Sequence, residues 1–140
     1  MSVSGRTLAE ISCGEAVFTA LMEARPAGLT MPQLMRATGM SQYHVRKGLM
    51  YLRQELASAR SAPLVFHPRD GWMLTPAGEI CFAYVFAKIE SLLRAVSLLA
   101  TGTLVPYAAM FPDQAVIETA AGQLSSVETS LTTLKFLGTR

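Results

Sequence analysis

The sequence is poor in charged residues and cysteine, and both shortages narrow the classes of protein it can encode. Of its 140 residues, 16% are charged and 51% are hydrophobic. An intrinsically disordered chain needs the opposite balance, so we expect a folded protein. The two cysteines, Cys13 and Cys81, are too few for a disulfide framework and lack the close spacing of a metal site. We therefore predict reduced thiols in a cytoplasmic protein.

Signals for secretion, membrane insertion and catalysis are also missing. The start of the chain carries Glu10 and Glu15 and has no continuous apolar stretch, which is unlike a secretory signal. The most apolar region, 80–110, contains three charged residues and Pro106, so we predict no membrane span. Motifs of hydrolases, metalloproteases and phosphate-binding loops do not occur. The prediction is a protein that is not an enzyme and that binds no cofactor or metal.

Positive charge is concentrated in the middle of the chain. Between residues 36 and 70, six basic residues stand against two acidic ones, a local charge of +4 in a chain whose net charge is +2. A basic segment between slightly acidic ends is typical of a protein that binds a polyanion through one element. An ordinary solvated surface explains the same charges equally well.

Two helices are predicted before the basic segment. Apolar residues at helical spacing indicate the first, at about 11–24. Thr30 is expected to cap the second helix, 31–38, and Gly39 to end it in the left-handed conformation.

A third helix and a β-hairpin follow. Ser41 is expected to cap a helix over 42–57, whose apolar residues form one inward stripe: Val45, Leu49, Leu52 and Leu56. The segment 63–67 favours a strand, 68–71 a tight turn, and 72–74 a returning strand.

Two long helices are predicted in the remainder. Thr75 is expected to cap the first, which extends to about residue 100. Residues 101–112 are interpreted as a connection, and Asp113 as the cap of a last helix that ends near residue 137. Both helices carry apolar residues at alternating spacings of three and four, and their stripes are candidates for a dimer interface. The stripe residues are Phe82, Val85, Ile89, Leu92, Val96 and Leu99 in the first helix, and Leu124, Val127, Leu131 and Leu134 in the second. Packing within one chain explains this spacing as well.

Several short segments carry a family resemblance. They are Gly28-Leu29-Thr30, the run from Leu34 to Gln42, Val45-Arg46 with Leu49 and Leu52, and Leu74-Thr75-Pro76-Ala77-Gly78-Glu79. With them, residues 16–100 resemble the winged helix-turn-helix domains of bacterial transcription regulators, and the last run is similar to one in LysR-type and MarR-like regulators. The resemblance implies that 42–57 is the recognition helix, that Arg69 lies at the wing tip, and that the helix after the wing helps to form a dimer.

The outward side of a recognition helix enters the major groove of DNA. Gln42 is suited to adenine edges, and Arg46 or Lys47 to guanine. Phosphate contacts are expected from Arg53, Arg36 and Ser41, and Arg69 could reach either a minor groove or a phosphate. The predicted DNA-binding residues are Ser41, Gln42, Tyr43, Arg46, Lys47, Arg53, Arg36 and Arg69.

The overall prediction is a mainly α-helical chain with a small β-hairpin wing. Residues 1–75 form a winged helix-turn-helix DNA-binding domain, and residues 76–140 a helical extension for homodimerisation. The predicted function is sequence-specific binding of double-stranded DNA by a homodimeric transcription regulator, which implies a palindromic site and association with the nucleoid. An alternative is a winged-helix adaptor that binds another protein through its apolar C-terminal helices. A third option is an effector pocket lined by Trp72, Tyr84, Phe86 and Tyr107.

Overall fold

The structure is a computed structural model, and it describes residues 7–138. The chain divides into two compact units, Met1–Cys81 (unit 1) and Phe82–Arg140 (unit 2). The described residues are mainly helical, with one two-stranded antiparallel sheet, which confirms the predicted combination of helices and a hairpin.

Side-chain caps define the first two helices. Helix α1 is Leu8–Ala24 and begins three residues earlier than predicted, because Thr7 and Glu10 form a capping box at its start. Helix α2 is Met31–Thr38, capped by Thr30 as expected. The αL conformation of Gly39, at φ 70°, confirms the predicted end of α2.

The third helix is less regular than predicted. Helix α3 is Gln42–Tyr51, with Ser41 as its N-cap, and it continues into a π-helical segment, Leu52–Leu56, and a last turn, α4, at Ala57–Ala59. In the π segment the Ala57 N–H donates to Leu52 O, one residue further back than in an α-helix. The predicted inward stripe is confirmed despite the π segment, since its four residues are all buried: Val45, Leu49, Leu52 and Leu56.

The core of unit 1 lies between α1, α2 and α3. It joins the stripe to Tyr51 of α3 and to buried residues of the other elements, Val17, Ala20, Leu21, Leu34 and Leu74. Helices α1 and α3 approach each other closely at Gly48, where an added Cβ would lie 2.6 Å from Cys13 O. A larger residue at position 48 would therefore force the two helices apart.

The hairpin consists of β1, Leu64–His67, and β2, Gly71–Leu74, with Phe66 opposite Trp72. Gly71 has φ 82°, which suits a glycine at the end of a tight turn. A third segment pairs with β2, because Leu29 and Trp72 exchange backbone hydrogen bonds of 2.8 and 2.9 Å. Leu29, in the loop between α1 and α2, is thus bonded to the hairpin.

The next helix differs from prediction at both ends. Helix α5 is Gly78–Leu99, so Thr75 is not its cap; instead, Thr75 Oγ1 accepts a hydrogen bond from Ala77 N–H. The expected connection at 101–112 was also wrong. The chain stays helical through a π segment, Ala100–Leu104, and α6, Val105–Met110. In the wider π turn Val105 N–H donates to Ala100 O, so the helix continues although Pro106 lacks an N–H.

The last helix, α7, is Ala115–Gly138. Its first backbone bonds go from Ile117 and Glu118 N–H to Gln114 O, so Gln114 occupies the position predicted for Asp113. Hydroxyls along α7 donate to the carbonyl four residues back, as Thr132 does to Glu128 O at 2.7 Å. This bonding satisfies the side chains of a helix rich in serine and threonine.

Unit 2 has no buried residue among those described in α5, α6 and α7. Within the described part of the chain, one continuous helical stretch, Gly78–Met110, is long and apolar enough to cross a membrane. The predicted stripes divide: Ile89, Val96, Leu124 and Leu131 are half-buried, whereas Phe82, Val85, Leu92, Leu99, Val127 and Leu134 are exposed. Each predicted stripe therefore contains both half-buried and exposed residues.

Candidate nucleic-acid interface

Helix α3 has a buried side and a fully exposed side. Val45 has no exposed area, whereas Tyr43, two residues earlier, is 63% exposed. Ser41, Gln42 and Arg46 are exposed as well. We call Ser41, Gln42, Tyr43 and Arg46 the outer face of α3. It lies in the N-terminal half of the helix, the part that contacts bases when such a helix enters a groove.

The start of α3 is ordered by local contacts. The Ser41 hydroxyl accepts a hydrogen bond from His44 N–H at 3.3 Å and lies 2.9 Å from His44 Nδ1. The His44 ring in turn packs edge-on against the Tyr43 ring, with centroids 5.4 Å apart. His44 is exposed, but its ring supports the neighbouring Tyr43 and the cap.

Two of the predicted arginines are available for a ligand. Arg46 and Arg36 are exposed, and neither forms a hydrogen bond or ion pair with any of residues 7–138. A guanidinium with no partner in the protein keeps all its donors for a phosphate or a base edge. Arg46 is the only one of the two on the outer face of α3.

Lys47 contacts two other side chains of the protein. Its Nζ lies 3.7 Å from Glu10 Oε1 and 5.4 Å from the centre of the Tyr43 ring. The same carboxylate accepts a hydrogen bond from Thr7 N–H at the start of α1. The charge of Lys47 is therefore partly compensated, unlike that of Arg46.

Arg53, in the π-helical segment after α3, contacts the hairpin. The Arg53 guanidinium lies over the Trp72 ring at 5.2 Å, and Trp72 packs against Phe66 at 4.8 Å. Stacking on an aromatic face limits the freedom of the guanidinium. Arg53 thus keeps a defined position beside β2.

The hairpin turn is also ordered. His67 Nδ1 accepts hydrogen bonds from Arg69 N–H at 3.1 Å and from Asp70 N–H at 3.4 Å. The Arg69 side chain is 83% exposed, with Nε 3.4 Å from Asp70 Oδ1. Arg69, predicted to lie at the wing tip, is therefore exposed, but its positive charge is partly compensated by Asp70.

Sequence reasoning missed the residues that support this surface. Glu10 and Trp72 contact predicted DNA-binding residues from elements that are distant in sequence. Arg60, which contributes to the local positive charge, is bound to Glu15 and lies over the Phe18 ring at 4.6 Å. The bond to the Glu15 carboxylate raises the pKa of Arg60. Arg60 is thus engaged with α1.

The aromatic residues considered for an effector pocket have separate neighbours. Trp72 contacts Arg53 and Phe66, while Tyr107 stacks on Phe111 at 4.9 Å. Phe86 lines a shallow crevice with Phe82 and Leu137. Within residues 7–138, no group of three or more His, Cys, Asp or Glu side chains is placed to hold a metal ion.

No protein-family model matches the chain, and searches of curated proteins and of solved structures likewise give no match.

Proposed function

We propose that the protein binds double-stranded DNA sequence-specifically and regulates transcription, with α3 as the recognition helix of a winged helix-turn-helix domain. The outer face of α3 carries the proposal. It is exposed, it holds Arg46, which has no hydrogen-bond or ion-pair partner among residues 7–138, and it lies opposite an apolar stripe that fixes the helix to the core. Gln42 and Arg46 offer the paired donors and acceptors that discriminate adenine and guanine edges.

The neighbouring elements support the same function. The order of helices, the short turn at Gly39 and Met40, and the hairpin that follows support the proposed winged helix. The pairing of Leu29 with β2 ties the hairpin to the segment before α2. Arg36, Arg53 and Arg69 are assigned to phosphate contacts, which fix position on the duplex without reading sequence. Lys47 contributes to affinity once a phosphate or base competes with Glu10.

The test is selection of DNA duplexes from a random pool by the purified full chain. The affinity for the enriched duplexes is then measured by anisotropy titration. We expect enrichment of a defined sequence, bound at least about a thousandfold more tightly than an unrelated duplex. Arg94→Ala is the matched control for loss of one exposed charge, since Arg94 lies in unit 2 and, within residues 7–138, pairs with Glu90 alone, at 4.0 Å. A pool that stays random after selection would contradict the proposal.

A protein-binding adaptor is the second candidate, and the exposed apolar side chains of unit 2 favour it. Heparin chromatography separates the two functions. A DNA-binding chain is retained and elutes with a steep salt dependence, whereas an adaptor whose basic segment is incidental elutes early.

A further inference from the structure

Exposed large apolar side chains in unit 1 are concentrated on two elements of the candidate interface. Between residues 9 and 79 there are three of them: Tyr43 is 63% exposed, Met50 46% and Phe66 39%. Two lie on α3 and the third lies on β1 of the hairpin. A single exposed apolar side chain is ordinary on a protein surface, but a group of them beside a cationic helix indicates a surface that binds something.

Met50 is in line with the outer face of α3. Residues 42–51 form a regular α-helix, in which successive residues are about 100° apart around the axis. Tyr43, Arg46 and Met50 therefore fall within about 60° of one another, with Met50 two turns after Tyr43 and one turn after Arg46. The buried Val45 lies about 140° from Met50. Met50 thus extends the outer face along the helix.

Cations flank Met50 on both sides along the helix. Arg46 precedes it by one turn, Arg53 follows it by three residues, and both are exposed. Arg53 is held over the Trp72 ring of the hairpin at 5.2 Å. No acidic residue occurs in the sequence between positions 41 and 54. An apolar side chain between positive charges suits an anionic partner that itself carries a small apolar group.

The major groove of DNA offers such a group. Its base edges present hydrogen-bond donors and acceptors together with the C5-methyl group of thymine. 5-Methylcytosine carries the same methyl group, but beside it lies the N4 amino donor, whereas thymine has the O4 acceptor there. The guanidinium groups of Arg46 and Arg53 donate hydrogen bonds and accept none, so thymine matches the surroundings of Met50 better.

We propose that Met50 contacts the 5-methyl group of a thymine and so determines the preferred base pair at that position of the DNA site. The inference rests on the proposed function, since it requires α3 to enter the major groove. Methionine is unbranched and polarisable, so its side chain adapts to an apolar contact. Met50 lies about 6 Å along the axis from Arg46, so the thymine is expected within about two base pairs of the base that Arg46 contacts.

The experiment uses the duplex selected by the wild-type chain. Each thymine in turn is replaced by deoxyuridine, which removes only the 5-methyl group, and the affinity is measured by anisotropy titration. At one position in the half-site the affinity should fall about fourfold, the effect of removing one buried methyl-sized group. Met50→Ala should bind the thymine and uridine duplexes equally at that position. Leu98→Ala is the matched control: it removes an exposed apolar side chain in unit 2 and should keep the difference.

A 5-methylcytosine–guanine pair at the same position distinguishes the two sources of the methyl group, and it should bind more weakly than thymine–adenine. Equal or tighter binding of that pair would overturn the assignment to thymine. An affinity that no uridine substitution lowers, or a Met50→Ala variant that keeps the wild-type difference, would overturn the role of Met50.

These results are separate from a failure of the proposed function. Each of them is obtained with a duplex that the chain has selected, so DNA binding stands while the inference about Met50 falls. A pool that stays random contradicts the proposed function, and the inference with it. The uridine substitutions leave the protein unchanged, so the measurement on the wild type remains decisive even if Met50→Ala fails to fold.

Discussion

The apolar stripe of α3 in unit 1 is completely buried, whereas the stripes of α5 and α7 in unit 2 stay partly exposed. The two sequence patterns are equally regular, so periodicity does not explain the difference. In unit 1 the stripe is covered by α1, α2 and the hairpin, whereas in unit 2 α5 and α7 have only each other to cover their stripes. A regular apolar stripe therefore shows that a helix has an inward side, but the number of neighbouring elements decides whether the chain alone can cover it.

The largest expected effect is loss of a buried leucine in unit 1. Leu21→Ala should lower the free energy of unfolding by about 2–5 kcal/mol, because it leaves a cavity in a fully covered core. Trp72 is the chain's single tryptophan and lies in unit 1, so its fluorescence during urea denaturation reports this unit. Leu98→Ala, at a residue 65% exposed in unit 2, should change this transition by less than about 0.5 kcal/mol.

Glycine substitutions should have opposite effects in the two units. Gly48→Ala should destabilise the protein by about 1–3 kcal/mol, because its Cβ would meet the backbone of α1. Gly122→Ala in α7 should stabilise its helix by up to about 1 kcal/mol, because nothing lies within 4 Å of the added Cβ. Thermal melting followed by circular dichroism measures both. A higher melting temperature for Gly48→Ala would show that α1 and α3 are not closely packed.

Sequence alone predicted the elements of unit 1 well because their signals are local. Thr30, Gly39 and Ser41 act on residues within one turn, and the stripe from Val45 to Leu56 needs only helical spacing. The π segments could not be predicted from local signals. Pro106 indicates the end of a helix, and the wide turn that precedes it in the structure lets the helix continue. The contacts of Glu10 with Lys47 and of Trp72 with Arg53 were not predicted either, because each joins residues that are distant in sequence and meet only in the folded chain.

Two neighbouring cations should differ in their effect on DNA binding. Arg46→Ala should reduce the slope of log affinity against log salt by about one unit, because it removes a guanidinium that has no partner among residues 7–138. Lys47→Ala should reduce it by less, because Lys47 already pairs with Glu10 in the free protein. Anisotropy titrations between 50 and 200 mM salt, roughly the range over which such contacts are resolved, provide the comparison. Equal slopes for both variants would argue against the ion pair.

The smallest expected effect is at the hairpin turn. Arg69→Ala should weaken binding about two- to threefold, without changing the preferred sequence, because a phosphate contact from an exposed side chain beside Asp70 adds little. Competition between the selected duplex and point-mutated duplexes checks this result. A changed preference at one base pair would instead show that the turn reads the groove directly.

The most direct test of the central claim is to repeat duplex selection with Gln42→Ala and Arg46→Ala, each beside Arg94→Ala. If the outer face of α3 reads base edges, each α3 variant loses preference at its own position in the half-site, and Arg94→Ala selects the wild-type sequence. If all three variants select the wild-type sequence with unchanged preference at every position, α3 is not the reading element.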